Sequence, residues 1–181
     1  GGGAAASAST GSVQTVKTNI DIWGQVTETL HAANWGMNGV SGGINAVITL
    51  DQNHKVESAK CYIAECSIII EKDATVGNYY GGGFSYSAIG KVTCDVYGSI
   101  TGYEPSGDLN YSTLTGSNGY VGECTLNVKS GGSVTTPSLF VSQRGYIGTL
   151  TLNNEGTMTH VSIMPDGRDV DRFGEVTINS V

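Results

Sequence analysis

A five-residue run in which apolar side chains alternate with Thr, Asn or Asp recurs along this chain. Seven copies are present: Thr18–Ile22, Ala46–Leu50, Cys66–Ile70, Val92–Val96, Cys124–Val128, Leu150–Asn154 and Val176–Ser180. Alternation with a period of two residues predicts a strand that has one buried face and one solvated face. The copies start 20 to 32 residues apart, and a period of that length is typical of solenoids, propellers and other repeat folds.

The residues between the runs narrow the choice among repeat folds. They are rich in Gly, Ser, Thr and Tyr and lack helical periodicity, so leucine-rich, ankyrin and tetratricopeptide repeats do not fit. A propeller blade needs four strands in about 40 residues, more than these copies hold. We therefore predict an all-β fold, a right-handed parallel β-helix of about seven coils with three short strands per coil. Its second strands are expected at Ser99–Ile100, Ser133–Val134 and Thr157–Met158, and its third strands near Phe84–Ile89 and Leu139–Ile147.

The composition is that of one folded domain with few charges. Charged residues make up 14% of the 181 residues, and the net charge is -7. We predict that residues 1–12 are a flexible linker or a processed N-terminus, and that residues 13–181 form a single β-solenoid domain or a fragment of a longer solenoid. The negative charge and the lack of Lys or Arg runs oppose nucleic-acid binding. No apolar stretch of about 18 residues exists for membrane insertion.

Stacked coils place equivalent side chains in columns. Two inward columns are expected: Ile20, Ile48, Ile68, Cys94, Leu126, Leu152 and Ile178 in one, and Ile63, Ile89, Val121, Ile147 and Phe173 in the other. Glycines follow the second column at Gly90, Gly122, Gly148 and Gly174, where we expect the coil to turn a corner at which a Cβ is costly if φ is positive. The outward Asn127, Asn153 and Asn179 are expected to share amide hydrogen bonds from coil to coil.

The recurring pattern G-x-V-T-L-N-x-x-G-x-V, seen in "YIGTLTLNNEGTM" from Tyr146 to Met158, extends over about residues 16–181. It resembles the strand-loop-strand repeats in passenger domains of bacterial autotransporter adhesins, and more loosely other right-handed β-helices such as phage tailspikes and pectate-lyase-like proteins. The resemblance implies a secreted or surface-displayed stalk or adhesin. Because the pattern is a structural repeat, it indicates the fold more strongly than an activity.

Four cysteines bear on the cellular compartment. Cys66, Cys94 and Cys124 occupy inward positions of the runs, whereas Cys61 precedes its run. Cys94 lies two residues out of line with Cys66 and with Cys124, which puts the Cα atoms about 8 Å apart and beyond disulfide reach. We expect buried free thiols, with a disulfide that involves Cys61 or a metal site as alternatives.

Two long connections between neighbouring coils are the main candidates for ligand binding. They are "GNYYGGGFSYS", from Gly77, and "TGYEPSGDLNYSTLTGSNGY", from Thr101. Insertions at adjacent coils project from the same side of a solenoid, and such loops often carry function. Aromatic rings suit a sugar or a protein groove, although the same rings can simply cap the core. The candidate ligand-binding residues are Tyr79, Tyr80, Phe84, Tyr86, Tyr103 and Tyr111.

The segment "MPDGRDVDRF" is the main candidate for a metal site. Its Asp166, Asp169 and Asp171 offer the hard oxygen ligands that Ca²⁺ prefers. The alternative is a solvated turn in which these carboxylates pair with Arg168 and Arg172. His31, His54 and His160 are scattered, and no Ser-His-Asp or HExxH spacing is present. We therefore expect no catalytic residues and no cofactor, with Ca²⁺ as the weaker alternative.

The pattern and the resemblance together lead us to expect a non-enzymatic extracellular structural or adhesive module on a cell surface, with a glycan or protein surface as its ligand. The final "GEVTINSV" begins a coil without an evident cap, and uncapped strand edges recruit other strands. A self-assembling filament or appendage subunit that stacks head to tail is therefore the alternative. A polysaccharide lyase or hydrolase of the β-helix type is the third interpretation.

Overall fold

The computed structural model describes residues 17–32, 49–50, 56–58, 62–81, 88–102, 112–113, 120–135, 139–140, 146–159, 161–162 and 173–180. Within these residues the chain forms sixteen strands and no helix. They are β1 (Lys17–Ile22), β2 (Gln25–His31), β3 (Thr49–Leu50), β4 (Val56–Ser58), β5 (Tyr62–Ile70), β6 (Thr75–Tyr80), β7 (Ala88–Val96), β8 (Ser99–Ile100), β9 (Ser112–Thr113), β10 (Tyr120–Val128), β11 (Ser133–Val134), β12 (Leu139–Phe140), β13 (Tyr146–Asn154), β14 (Thr157–Met158), β15 (Val161–Ser162) and β16 (Phe173–Ser180).

The first sheet contains six parallel strands in the order β1-β5-β7-β10-β13-β16. Its register aligns equivalent residues, so that Leu126 lies opposite Cys94 on one side and Leu152 on the other. The predicted stacking is confirmed for two columns, which contain Ile20, Ile68, Cys94, Leu126, Leu152 and Ile178, and Ile63, Ile89, Val121, Ile147 and Phe173. A parallel ladder of this kind needs a crossover between successive strands, and the second sheet supplies it.

The second sheet divides into two branches at β6. Val76, in the first half of β6, lies opposite Ile100 of β8, and the parallel pairing continues through β11 to β14. Tyr80, at the end of β6, lies opposite Thr113 of β9, and the pairing continues through β12 to β15. From β5 onward the chain alternates between the two sheets and returns to the first sheet after each excursion. This order of parallel strands is compatible with a β-solenoid.

The core lies between the two sheets. The inward side chains of the first sheet, such as Ile68, Leu126 and Leu150, are fully buried, and Val76, Ile100 and Val134 of the second sheet meet them. Each fully buried aliphatic side chain contributes about 1.5–3 kcal/mol to folding. The periodic alternation of the sequence therefore translates directly into the packing that stabilises the molecule.

The prediction that Ala46–Leu50 forms one of the stacked runs is wrong. β1 pairs directly with β5, with Thr18 opposite Cys66, and no strand lies between them. Thr49 and Leu50 instead form β3, which pairs antiparallel with β4. The start of the Ala46–Leu50 run lies only 20 residues before Cys66, fewer than separate any other consecutive runs, and five alternating residues fit a short hairpin as well as a coil. The first sheet thus contains six of the seven predicted runs.

The glycine column has a different cause from the one expected. Gly122 and Gly148 lie inside the nine-residue strands β10 and β13, and the glycines with positive φ among the described residues are Gly102 and Gly131. A Cβ at Gly148 would lie 2.6 Å from the carbonyl oxygen of Gly122. Glycine is therefore required because two stacked backbones approach closely, and not because the chain adopts a left-handed conformation.

Candidate functional site

The outward face of the first sheet carries three parallel rows of side chains, which are polar at every position except Ile69. The first row contains Asp21, Ile69, Asp95, Asn127, Asn153 and Asn179; the second contains Asn19, Ser67, Thr93, Thr125, Thr151 and Thr177; the third contains Lys17, Glu65, Lys91, Glu123, Thr149 and Glu175. Neighbours in a row belong to adjacent strands, which lie about 4.8 Å apart. The face therefore presents hydrogen-bonding groups at a regular spacing.

The first row is a continuous hydrogen-bonded ladder from Asp95 onward. Asn127 Nδ2 donates to Asp95 Oδ1 at 2.6 Å, Asn153 Nδ2 donates to Asn127 Oδ1 at 2.7 Å, and Asn179 Nδ2 donates to Asn153 Oδ1 at 2.8 Å. The predicted asparagine ladder is confirmed, and Asp95 extends it by one strand. Because a carboxylate only accepts, Asp95 sets one direction for all three amides. We call these four residues the Asx ladder.

The third row alternates in charge at its first four positions. Lys17 Nζ lies 2.8 Å from Glu65 Oε2, and Lys91 Nζ lies 3.6 Å from Glu123 Oε2. All four side chains are at least half exposed, so each pair contributes little to stability. These pairs favour the observed register, since a strand that slipped by two residues would move each Lys away from its Glu.

A groove of about 280 Å³ crosses β1, β5 and β7 on this face. Its lining consists of Lys17, Thr18, Asn19, Glu65, Cys66, Ser67, Lys91 and Thr93. The groove therefore combines hydroxyl and amide groups with charges of both signs. Such a lining suits a small hydroxylated ligand better than an apolar one.

A second exposed feature lies at the corner where the first sheet leads into the second. The residue after the last inward position of each strand lies beside its equivalent on the next strand of the sheet. These residues form the column Trp23, Glu71, Tyr97, Lys129 and Glu155. Backbone hydrogen bonds run through the corner, from Glu71 N to Ile22 O at 2.9 Å and from Tyr97 N to Ile70 O at 2.8 Å. We call these five residues the corner column.

Two residues of the corner column are exposed aromatics. Trp23 is 73% exposed and Tyr97 is 42% exposed. The other exposed large apolar side chains in the described part of the chain are Val176 and Ile178 of β16. Sequence reasoning missed both aromatics, although the signal was present: each follows an inward Ile or Val and precedes a glycine, in "DIWGQ" and "DVYGS".

Two of the predicted ligand-binding aromatic residues are buried in the structure. The Tyr79 side chain is fully buried and Tyr80 is 7% exposed, so their rings offer almost no surface to a ligand. Phe84, Tyr86, Tyr103 and Tyr111 lie outside the described residues, and so do Asp166, Asp169 and Asp171 of the predicted Ca²⁺ site. An aromatic lobe and a calcium site at those positions stay predictions. The described residues bring no three His, Cys, Asp or Glu side chains together at a geometry that holds a metal ion.

Three thiols line the inside of the first sheet. Cys66, Cys94 and Cys124 are buried thiols that form no disulfide, as predicted, whereas Cys61 lies outside the described residues. Cys94 lies opposite Ile68 and Leu126, which confirms that it is two residues out of line with the other two thiols. Burial raises the pKa of Cys124 to about 12 and raises that of Cys94 further, although a hydrogen bond from Tyr79 opposes part of the rise at Cys94. Burial also raises the pKa of Cys66, and the neighbouring Thr18 hydroxyl lowers it in part. These thiols are protonated and shielded at neutral pH, so they are poor nucleophiles.

Comparison of the chain with protein-family models, with curated proteins and with solved structures finds no match in any of the three. The resemblance to autotransporter adhesins therefore depends on the repeat pattern itself. Among the described residues, no helix is both long enough and apolar enough to cross a membrane.

Proposed function

We propose that the chain is a right-handed parallel β-helix that acts outside the cell as a non-enzymatic structural and adhesive module. The observation that carries this proposal is the outward face of the first sheet, where the Asx ladder and the row of Thr93, Thr125, Thr151 and Thr177 recur on four stacked strands. A ladder that already satisfies its own hydrogen bonds is a rigid display surface. Regular hydroxyl and amide groups on a rigid surface suit adhesion to a glycan or a protein.

The branching of the second sheet supports three strands per coil. Beyond β6, each circuit contains one long strand of the first sheet and one short strand in each branch, as in β10, β11 and β12. We assign the coil a right-handed crossover because parallel strands in one sheet are joined that way in nearly all proteins. On this interpretation six coils are present in the described chain.

An extracellular location fits the chemistry of the core. The described thiols are buried; Cys94 is out of register with the other two, and Cys66 and Cys124 share a column but are separated by Val92 of β7. The fold itself therefore keeps these three thiols from forming a disulfide with one another. Such a protein tolerates an oxidising compartment without depending on it. The acidic surface, with a net charge of -7, favours neutral glycans and protein surfaces over nucleic acid.

Immobilised full-length chain tests this function. It is exposed to arrays of neutral and acidic glycans, to extracellular matrix proteins and to whole cells, and we expect retention on at least one of these surfaces. Depolymerisation assays on the same polysaccharides should show no release of reducing ends or unsaturated products. Absence of binding to every surface, or measurable depolymerisation, would reject the proposed function.

Self-association is the second candidate. Ile178 on β16 occupies an inward position of its column, yet its side chain is 53% exposed. Val176 on the same strand is also exposed. A strand of a second molecule that paired with β16 would cover both. Electron microscopy across a range of protein concentrations tests this candidate, since a filament subunit forms concentration-dependent fibres and Ile178→Lys prevents them.

A further inference from the structure

The corner column forms a straight edge that runs along the stacking direction. Trp23, Glu71, Tyr97, Lys129 and Glu155 belong to successive coils, and parallel strands are about 4.8 Å apart. Trp23 and Tyr97 are therefore two coils apart, or about 9.6 Å along the edge. We propose that this edge binds an extended strand of a neutral β-1,4-linked polysaccharide, with Trp23 and Tyr97 stacked on alternate sugar rings. The inference deepens the proposed adhesive function and depends on it.

The first argument is exposure on a rigid support. A tryptophan that is 73% exposed leaves apolar surface in water, which favours contact with a partner. The backbone beneath the rings is fixed, because Tyr97 N donates to Ile70 O and Gly98 N donates to the same oxygen at 3.0 Å. A Cβ at Gly98 would overlap the carbonyl oxygens of Glu71 and Ala74. The corner is therefore tightly packed beside Tyr97, and ligand binding would not have to order it there.

The second argument is spacing. In an extended β-1,4-linked chain each ring is turned over relative to the ring before it, so the same face recurs at every second ring. One disaccharide is about as long as two strand spacings of a parallel sheet. Aromatic rings present the flat apolar surface that the C–H face of a sugar covers. The two exposed aromatics thus match the period of such a chain, whereas aromatics one coil apart would not.

The third argument is the chemistry between the two rings. Glu71 lies between Trp23 and Tyr97 in the column, and the exposed Lys72 and Asp73 follow it in the same turn. These side chains offer hydrogen-bond partners to the hydroxyls of the ring that is not stacked. Two carboxylates against one ammonium leave this turn negative, and the chain carries a net charge of -7. An acidic polysaccharide would be repelled, which selects a neutral one.

Affinity electrophoresis of the full chain tests the proposal, with gels that contain hydroxyethylcellulose, xylan or the acidic polymer polygalacturonate. We expect retardation by at least one of the two neutral polymers and none by polygalacturonate. Trp23→Ala and Tyr97→Ala should each weaken binding by about tenfold, near the upper end for one aromatic contact. Ile178→Ser is the control, because it removes a different exposed apolar side chain and should bind as the unmodified chain does.

Spacing is tested by a gain of affinity. Glu155 lies two coils beyond Tyr97, and Lys129 lies one coil beyond it. Glu155→Tyr would extend the aromatic series at the same interval, so it should strengthen binding about fivefold to tenfold. Lys129→Tyr should not strengthen it, and Glu155→Gln separates the effect of the lost charge from that of the added ring.

The outcomes distinguish this inference from the proposed function. If Trp23→Ala and Tyr97→Ala leave retention on the neutral polymer unchanged, the aromatic edge is overturned, but the proposed adhesive function stands. Equal gains from Glu155→Tyr and Lys129→Tyr would overturn the spacing. Failure of the unmodified chain to bind either neutral polymer would also overturn the edge, and binding to acidic glycans, proteins or cells would then decide the proposed function separately. Circular dichroism confirms that each variant is folded, which we expect because the altered side chains are on the surface.

Discussion

Buried ionisable groups should make this protein less stable at alkaline pH. The thiols of Cys94 and Cys124 have pKa values raised by desolvation from an ordinary value of 9.0, and burial likewise raises the pKa of the Tyr79 hydroxyl above its ordinary value of 10.0. Above pH 9 the unfolded chain releases thiol protons while the folded chain retains them. The contribution of these thiols to the free energy of unfolding should therefore be fully present below pH 9 and fall as the pH rises from 9 to 12, by about 1.4 kcal/mol per pH unit for each thiol.

Urea denaturation at pH 8 to 11 measures this slope. Cys124→Val is the control, because valine and leucine occupy the same column at Val92 and Leu150 and valine does not titrate. That variant should show a shallower fall between pH 9 and 11 than the unmodified chain. A fall of equal steepness in both proteins would contradict the assignment of the effect to Cys124.

Close backbone contact at the corner predicts unequal effects of one substitution at two glycines. Gly24 and Gly132 occupy equivalent corner positions in different coils. A Cβ at Gly132 would overlap the carbonyl oxygen of Val96, whereas no atom of the described residues lies within 4 Å of a Cβ at Gly24. Gly132→Ala should lower the free energy of unfolding by about 2 kcal/mol or more, and Gly24→Ala should change it by less than about 0.5 kcal/mol. Chemical denaturation of both variants gives the comparison, and equal losses would refute the contact as the cause.

At the scale of the strands, the Asx ladder connects β7, β10, β13 and β16 through side chains. Asn153 takes part in two of its hydrogen bonds, as donor to Asn127 and as acceptor from Asn179, whereas Asn179 takes part in one of them. Each bond contributes about 1 kcal/mol. Asn153→Ala should therefore lower the free energy of unfolding by about 2 kcal/mol, roughly twice the loss in Asn179→Ala. Thermal or urea unfolding tests the ratio, and a greater loss at Asn179 would show that the ladder does not act as described.

The strands of the first sheet were predictable because stacking forces like residues into register. Alternation in the sequence identified the inward Leu126 and Leu152 and the outward Asn127, and no other element could accommodate that period. Ala46–Leu50 has the same alternation, but pairing partners decide whether a strand joins a stack or a hairpin, and partners are not encoded in five residues. The burial of Tyr79 could not be predicted either, because one strand continues from Thr75 to Tyr80 where the sequence indicates a loop. The position of Trp23 between an inward Ile and a glycine is visible in the sequence, but the degree of its exposure depends on the three-dimensional path of the corner.

At the scale of the whole molecule, stacked strands imply a gradient of stability along the axis. β7 and β10 each have a parallel neighbour on both sides, whereas the described part of the chain pairs β16 with β13 alone. Side chains from Gly174 to Ser180 are all exposed, but Val92, Leu126 and Val128 are fully buried. In repeat folds each unit is stabilised mainly by its neighbours, so opening should begin at strands that have one neighbour in the described sheet, such as β16.

Hydrogen exchange followed by mass spectrometry measures this gradient in the 181-residue chain. Amides in peptides that cover residues 174–180 should exchange at least about a hundredfold faster than those that cover residues 121–128, because local opening at an edge costs less than global unfolding. Ile178→Ser should accelerate exchange at β16 while leaving β7 and β10 unchanged, since its effect passes only through β13. Uniform protection across both segments would mean that the strands unfold as one unit. The stability of each strand would then not depend on its position in the sheet. That result would contradict the interpretation of this fold as a stacked repeat.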